Sequence, residues 1–191
     1  MKLILASTSP YRAEQLKRLG LDFETRDPQV DEALFKQAGF TPETLAEVLA
    51  LEKAKQVSQQ NPEAIVIGGD QLVSFENTIL GKPGSEQAAM EQLMSMQGQT
   101  HTLITAIAVT GPDFIETHIN CTLLKMRTLD RDAIKRYIRF DQPLDCAGAY
   151  KLESRGITLF EEIQSTDHSA ITGIPLIALT TLLIKAGVTL P

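Results

Sequence analysis

A segment of small hydroxyl residues, a proline and an arginine directly follows the first apolar run of the chain and reads Ser7-Thr8-Ser9-Pro10-Tyr11-Arg12. Pro10 suits the first turn of a helix because it lacks an N–H that would have no partner there, and Ser9 is a good N-cap before it. Such a helix start directs free backbone N–H groups toward Ser7, and Arg12 adds a forked cation suited to phosphate or carboxylate. By itself the segment is either an anion site or an ordinary helix start.

Two lysines would strengthen an anion site if the fold brought them to it. Lys82 lies in Gly81-Lys82-Pro83-Gly84, where the flanking residues stiffen the backbone so that the ammonium group can be aimed. Lys53 lies in a long predicted helix. Either lysine could instead be a solvated surface charge, and for Lys53 taken alone the surface interpretation is favoured.

Two acidic residues could supply a base or hold a metal ion. Glu32 lies in Val30-Asp31-Glu32, and Asp70 follows an apolar run through Gly68-Gly69. An aspartate in that position either caps a turn or acts as a catalytic or metal-binding carboxylate. The glycines taken alone slightly favour the turn.

Apolar runs and helical periodicity alternate along the chain, and they predict the elements that must position these residues. The predicted strands are 3–6, 22–26, 64–67, 72–75, 78–80, 100–109, 114–126, 148–152 and 157–162, and the predicted helices are 10–19, 41–59, 85–96, 130–139 and 175–185. This alternation predicts a three-layer α/β fold with a central mixed sheet. Ligands of such sheets bind in a cleft at the carboxyl ends of strands, where segments 7–12 and 68–70 both lie.

The composition limits the class of protein. With 191 residues, of which 43% are hydrophobic and 22% charged, the chain suits a single globular domain over residues 1–191, either undivided or built as two lobes flanking the cleft. A formal net charge of −6 argues against binding to nucleic acid or to an anionic membrane, because both need many cationic contacts.

Targeting and redox signals indicate a cytoplasmic protein. The apolar run 3–6 is too short for a signal-peptide core, and the run 174–184 falls short of the roughly 20 residues of a membrane span. Cys121 and Cys146 form no metal-binding pattern and are interpreted as isolated thiols in a reducing compartment.

The motifs become specific when they are taken together in chain order. They are Ser7-x-Ser9-Pro10-x-Arg12, Val30-Asp31-Glu32, Glu52-Lys53-Ala54, Gly69-Asp70-Gln71, Gly81-Lys82-Pro83, Gly148-Ala149-Tyr150 with Gly156-Ile157, and Gly173-Ile174-Pro175-Leu176. This ordered set resembles the Maf family of nucleotide pyrophosphatases over nearly the whole chain.

The resemblance implies hydrolysis of a nucleoside triphosphate between its α and β phosphates with a divalent cation, Mg²⁺ or Mn²⁺. It implies that Asp70 orients or deprotonates the attacking water and that Glu32 shares the metal with Asp70. Phosphoryl chemistry leaves the protein mainly positioning and electrostatics to supply. The implied phosphate ligands are Arg12, Lys53, Lys82, Ser7 and Ser9. The family resemblance also suggests a homodimer.

Three positions distinguish the branches of the family that the chain resembles. The branch resembling dTTP/UTP pyrophosphatases has Arg, Thr and Gln where this chain has Tyr11, Gln71 and Glu153. The chain looks more like the branch that hydrolyses 7-methyl-GTP and so removes a modified nucleotide. The alternatives left open are a dTTP/UTP pyrophosphatase and a non-catalytic nucleotide-binding regulator of cell division.

Hydrogen-bond chemistry agrees with the guanine assignment. Guanine presents adjacent N1–H and N2–H donors, which the carboxylate of Glu153 can accept as a bidentate pair. Uracil and thymine place one N–H between two carbonyl oxygens, and a facing carboxylate meets at least one of them unfavourably. Methylation at N7 makes the guanine ring cationic, which favours stacking on Tyr11.

Overall fold

The strands form one seven-stranded mixed sheet in the computed structural model, which describes residues 2–190. The strands are β1 (Leu3–Ala6), β2 (Glu24–Arg26), β3 (Ile65–Phe75), β4 (Thr78–Leu80), β5 (Thr100–Gly111), β6 (Phe114–Met126) and β7 (Phe160–Gln164). The helices are α1 (Pro10–Lys17), α2 (Glu32–Lys36), α3 (Pro42–Gln60), α4 (Glu86–Met96), α5 (Arg131–Asp141) and α6 (Leu176–Lys185). The predicted α/β fold with a central mixed sheet is confirmed.

Strand β1 lies inside the sheet, between β2 and β3. The strand order is β2-β1-β3-β5-β6-β7, and β4 pairs with β3. Strand β1 is parallel to both β2 and β3, with Ala6 opposite Arg26 on one side and Gly68 on the other. Because β3 continues to Phe75, its residues after Gly68 extend beyond the end of β1.

The chain divides into two compact units. The first comprises the residues up to Gln71, Thr105–Asn120 and the residues from Asp167 onward, and the second comprises Leu72–Ile104 and Cys121–Thr166. The core of the first unit is aliphatic; its central members include Leu5, Leu16, Ile67, Ile107 and Leu179. The second unit contains a buried aromatic group in which His101, Tyr150 and Phe160 pack with ring centroids 5.1 to 5.8 Å apart.

The interpretation of Gly68-Gly69-Asp70 as a turn is wrong, because β3 runs through all three residues. A Cβ atom on Gly68 would lie 2.1 Å from the carbonyl oxygen of Ala50 in α3, and one on Gly69 would lie 3.3 Å from Nε of Arg12. The two glycines therefore allow α3 and Arg12 to approach β3 closely, and they do not change the direction of the chain.

Two other predicted strands differ from the structure. Residues 148–152 do not form a strand: the 3₁₀ turn Ala147–Ala149 lies there, and Gly148 has a positive φ of 72°, which a strand does not use. In the 157–162 region the strand begins only at Phe160, after the 3₁₀ turn Arg155–Leu159.

The other predicted elements are present in the structure, whereas α2 (Glu32–Lys36) was not predicted. The predicted hairpin is confirmed, since Val73 pairs with Leu80 and the turn residues Glu76 and Asn77 both have positive φ. Within residues 2–190, none of the helices combines the length and apolar character needed to cross a bilayer.

Candidate functional site

A buried lysine joins the two predicted acidic residues. Lys53 Nζ lies 2.6 Å from Asp70 Oδ1 and 2.7 Å from Glu32 Oε1. Lys53 is only 8% exposed, so the surface interpretation of this lysine is wrong. The structure thus brings three predicted site residues together in the first unit.

Local sequence explains how these side chains are placed. Helix α2 begins at Glu32 because Asp31 caps it, accepting a hydrogen bond from Ala33 N. Lys53 follows Leu49 by one helical turn on the buried face of α3. Asp70 lies in the part of β3 that extends past the end of β1.

The two carboxylates differ in their affinity for protons. Burial raises the pKa of Asp70, and the charges of Lys53 and Arg12 oppose this rise without cancelling it. Burial also acts to raise the pKa of Glu32, but the hydrogen bond and charge of Lys53, aided by Lys36, outweigh it and lower the pKa to about 2. Glu32 is therefore a fixed negative charge, whereas Asp70 is the better proton acceptor.

One oxygen of Asp70 has no partner. Asp70 is 5% exposed, and its Oδ2 makes no hydrogen bond to any described residue. A buried polar atom in this state is rare in folded proteins, and Asp70 Oδ2 could accept a proton or bind a water or an ion.

The predicted anion segment begins α1 as expected. Ser9 is the N-cap and its side chain accepts a hydrogen bond from Arg12 N at 3.4 Å. Ser7 Oγ accepts from Ser9 N at 3.1 Å and from Arg12 Nη1 at 3.4 Å. The helix cap and the arginine are thus parts of one hydrogen-bonded cluster.

Arg12 makes a further hydrogen bond through its Nε atom. Its Nε donates to the carbonyl oxygen of Gly173 at 3.2 Å, and its stem passes over Gly69. Burial lowers the pKa of Arg12, although the charges of Asp70 and Glu32 oppose this, and a guanidinium stays protonated in proteins. Arg12 therefore adds a fixed cation to the Lys53 cluster.

Gln71 is held by groups that sequence reasoning missed. Its Nε2 donates to Thr105 Oγ1 at 2.9 Å and to the carbonyl oxygens of Ala170 and Ile171 at 3.0 and 3.2 Å. Two of these three acceptors belong to the backbone of the 3₁₀ turn His168–Thr172. Residue types do not reveal which backbone carbonyl groups a side chain contacts. The nearest motif in the sequence is the one that begins at Gly173.

The other predicted site residues lie on the surface. Tyr11, in the first turn of α1, is 43% exposed. Lys82 is exposed in a loop of the second unit. At the two ends of this loop, Gln92 Nε2 donates a hydrogen bond to Gly81 O and Gly84 N donates one to Leu144 O. This supports a stiff backbone around Lys82; its role at a phosphate stays a prediction.

Glu153 is exposed at a turn of the second unit. The turn is defined by hydrogen bonds from Ser154 N and Gly156 N to Lys151 O. Asp141 at the end of α5 holds it by accepting from Ser154 Oγ at 3.0 Å and Gly156 N at 3.1 Å. The register of this loop is therefore fixed, and the base-reading role of Glu153 stays a prediction.

The site combines two cations, a negatively charged carboxylate and a buried proton acceptor. Arg12 and Lys53 can neutralise anionic oxygens, and Asp70 can accept a proton from water. No group of three or more His, Cys, Asp or Glu side chains suited to a metal occurs within residues 2–190. A metal at this site would therefore depend on the carboxylate pair and on ligands from the substrate, as is usual in enzymes that act on nucleotide phosphates.

Comparison with known proteins gives the family. A family model described as Maf-like protein matches residues 2–186, so the chain belongs to the Maf family and the identification from its motifs is confirmed. The 7-methyl-GTP pyrophosphatase of Bdellovibrio bacteriovorus is 48% identical over 186 residues, with 97% of each chain covered. Its counterpart of the same name from Xanthomonas campestris pv. campestris is 46% identical over 191 residues, covering 100% of this chain and 98% of the relative.

Proposed function

We propose that this protein is a nucleoside triphosphate pyrophosphatase that hydrolyses 7-methyl-GTP to 7-methyl-GMP and diphosphate. The observation that carries the chemistry is Asp70, a buried carboxylate with a raised pKa and one oxygen without a partner, beside Lys53 and Arg12. The substrate assignment is supported by the names of relatives that are 46 to 48% identical over nearly the full chain.

A divalent cation fits the residues present. Asp70 Oδ2 has no partner, and Glu32 supplies a second carboxylate on the same ammonium group. Mg²⁺ is usually held by one or two carboxylates together with substrate phosphates, so these two residues would suffice to hold Mg²⁺ or Mn²⁺. When bound, such an ion supplies charge neutralisation on the phosphate oxygens and activates water.

The chain's own residues account for the remaining requirements of the reaction. Asp70 positions the water and takes a proton from it as the water oxygen bonds to the α phosphorus. The bond from that phosphorus to the bridging oxygen breaks, and diphosphate leaves. Arg12 and Lys53, together with Lys82, neutralise the charge that gathers on the leaving oxygens. Ser7, Ser9 and the start of α1 bind non-reacting phosphate oxygens.

Base selection is assigned to Tyr11, Gln71 and Glu153. Tyr11 offers an exposed aromatic face on which a cationic 7-methylguanine ring can stack. Glu153 accepts the two adjacent donors of guanine. A second candidate function, dTTP/UTP hydrolysis, would use the same catalytic residues.

We also propose the wider context of the enzyme. The chain acts as one Maf-type domain over residues 1–191, as a homodimer in the cytoplasm, on a free nucleotide and without nucleic acid or membrane. The net charge of −6 supports the absence of a nucleic-acid partner. The dimer is supported by family resemblance, and light scattering of the purified protein tests it: a mass near 42 kDa is expected from the 21.0 kDa chain, and a monomer contradicts it.

The test of the proposed function is diphosphate release from a substrate panel. The purified protein is assayed with 7-methyl-GTP, GTP, CTP, UTP and dTTP in Mg²⁺ or Mn²⁺, with chelator, and after metal is restored. We expect the highest kcat/KM for 7-methyl-GTP and loss of turnover in chelator. Faster turnover of UTP would favour the pyrimidine alternative, and tight nucleotide binding without diphosphate release would favour the regulator.

A further inference from the structure

The hydrogen bonds around Gln71 fix which end of its amide faces outward. Gln71 Nε2 is within 3.2 Å of Thr105 Oγ1, Ala170 O and Ile171 O. Thr105 is 1% exposed, and its hydroxyl hydrogen goes to Ala170 O at 3.0 Å. The threonine oxygen therefore turns a lone pair toward Gln71, and all three neighbours of Nε2 act as acceptors.

The reverse orientation of the amide is unfavourable. It would place the carbonyl oxygen of Gln71 against the carbonyl oxygens of Ala170 and Ile171, which can only accept hydrogen bonds. In the observed orientation both Nε2 hydrogens are used within the protein. No described residue donates a hydrogen bond to Oε1, so Gln71 can offer a ligand an acceptor but not a donor.

The segment that holds Gln71 also holds Arg12. Gly173, directly after the 3₁₀ turn His168–Thr172, accepts from Arg12 Nε at 3.2 Å. Asp167 and Ser169 fix the turn against the start of α6: Ser169 Oγ accepts from Leu176 N and Asp167 Oδ2 accepts from Ile177 N, both at 2.8 Å. Neighbouring carbonyl groups of one segment thus position both Arg12 and Gln71.

We propose that Thr105 is a positioning residue for base selection: together with the two backbone carbonyl groups it holds Gln71 as an acceptor toward an N–H group of the nucleobase. The inference rests on the proposed function. 7-Methylguanine has an N1–H and an amino group, whereas uracil has a single N–H between two carbonyl oxygens that would repel Oε1. If the amide of Gln71 could rotate, it would present N–H to those carbonyls and accept uracil better.

The kinetic test compares three threonine variants by the ratio of kcat/KM for 7-methyl-GTP to that for UTP. Thr105→Val removes the hydroxyl at nearly constant shape, and the ratio should fall about three- to tenfold, the value of one hydrogen bond. Thr105→Ser keeps the hydroxyl and should retain most of the ratio. Thr110→Val is the matched control, since Thr110 lies on the same strand, is 2% exposed and has an Oγ1 without a partner among the described residues. An unchanged ratio in Thr105→Val overturns the role of Thr105.

A second measurement separates this inference from the proposed function. The side-chain amide of Gln71 is assigned by NMR from the signal lost in Gln71→Met, and its hydrogen exchange is measured without substrate. We expect slow exchange in the wild type and in Thr110→Val, and exchange about tenfold faster in Thr105→Val. Equal exchange in all three proteins overturns the contribution of Thr105 to holding Gln71. Preference of the wild type for UTP, with protection of this amide intact, would instead overturn the proposed substrate alone.

Discussion

Replacement of Lys53 by Met leaves a buried carboxylate without its counter-charge. The ammonium lies 2.6 Å from Asp70 Oδ1, a separation at which the attraction of two unit charges is about 6 kcal/mol at an effective dielectric constant near 20. Desolvation offsets part of this, and breaking such a buried pair typically costs about 3–5 kcal/mol in the free energy of unfolding. For a chain of this size that corresponds to a fall in Tm of about 6–20 °C.

The measurement is a double-mutant cycle by urea and thermal unfolding, with Lys53→Met, Asp70→Asn and the combined variant. The combined variant should be at least about 2 kcal/mol more stable than the sum of the two single losses implies, because residue 70 no longer carries a buried charge that lacks Lys53. Lys55→Met is the control on the same helix; its partly exposed pair with Glu52 should contribute less than about 1 kcal/mol. Additive effects of the two site changes, within about 0.5 kcal/mol, would show that Lys53 and Asp70 do not act as a pair.

Three further predictions concern catalysis, base selection and pH. Asp70→Asn should lower kcat at least about 100-fold, the contribution of a general base, with triphosphate binding kept in calorimetry; near-normal turnover would exclude Asp70 as the base. Glu153→Gln should lower the preference for 7-methyl-GTP over UTP about tenfold, as expected from a lost charge-assisted hydrogen bond, and an unchanged preference would assign base reading elsewhere. Burial lowers the pKa of His101 from 6.5 to about 4, so the unfolded chain takes up the proton first and stability is lost as pH falls from 6.5 toward 4. Urea midpoints at pH 7.5 and 5.0 should differ less in His101→Gln than in the wild type, and an equal pH dependence would contradict this.

The sequence predicted well the features that depend on residues close together in the chain. The N-cap at Ser9, the strand at 3–6 and the hairpin around Glu76 and Asn77 each follow from local hydrogen bonding, apolar runs or turn formation. The long helix predicted over 41–59 also formed, as α3 (Pro42–Gln60).

The features that the sequence did not predict depend on residues distant in the chain. Spacing alone does not show that Lys53 is neutralised by Glu32 and Asp70 and can therefore be buried. Gly68 and Gly69 favour a turn in the sequence, because the groups that approach them, α3 and Arg12, are distant in the chain and meet them only after folding. The carbonyl groups that orient Gln71 belong to a turn about 100 residues further along, as the separation of 99 residues between Gln71 and Ala170 shows.

The most direct test of the central claim is hydrolysis of 7-methyl-GTP in ¹⁸O-labelled water, with the products separated and weighed by mass spectrometry. If water held at Asp70 attacks the α phosphorus, one ¹⁸O atom enters 7-methyl-GMP and none enters diphosphate. Label in the diphosphate, or release of orthophosphate in its place, would contradict the mechanism assigned to Asp70, Lys53 and Glu32.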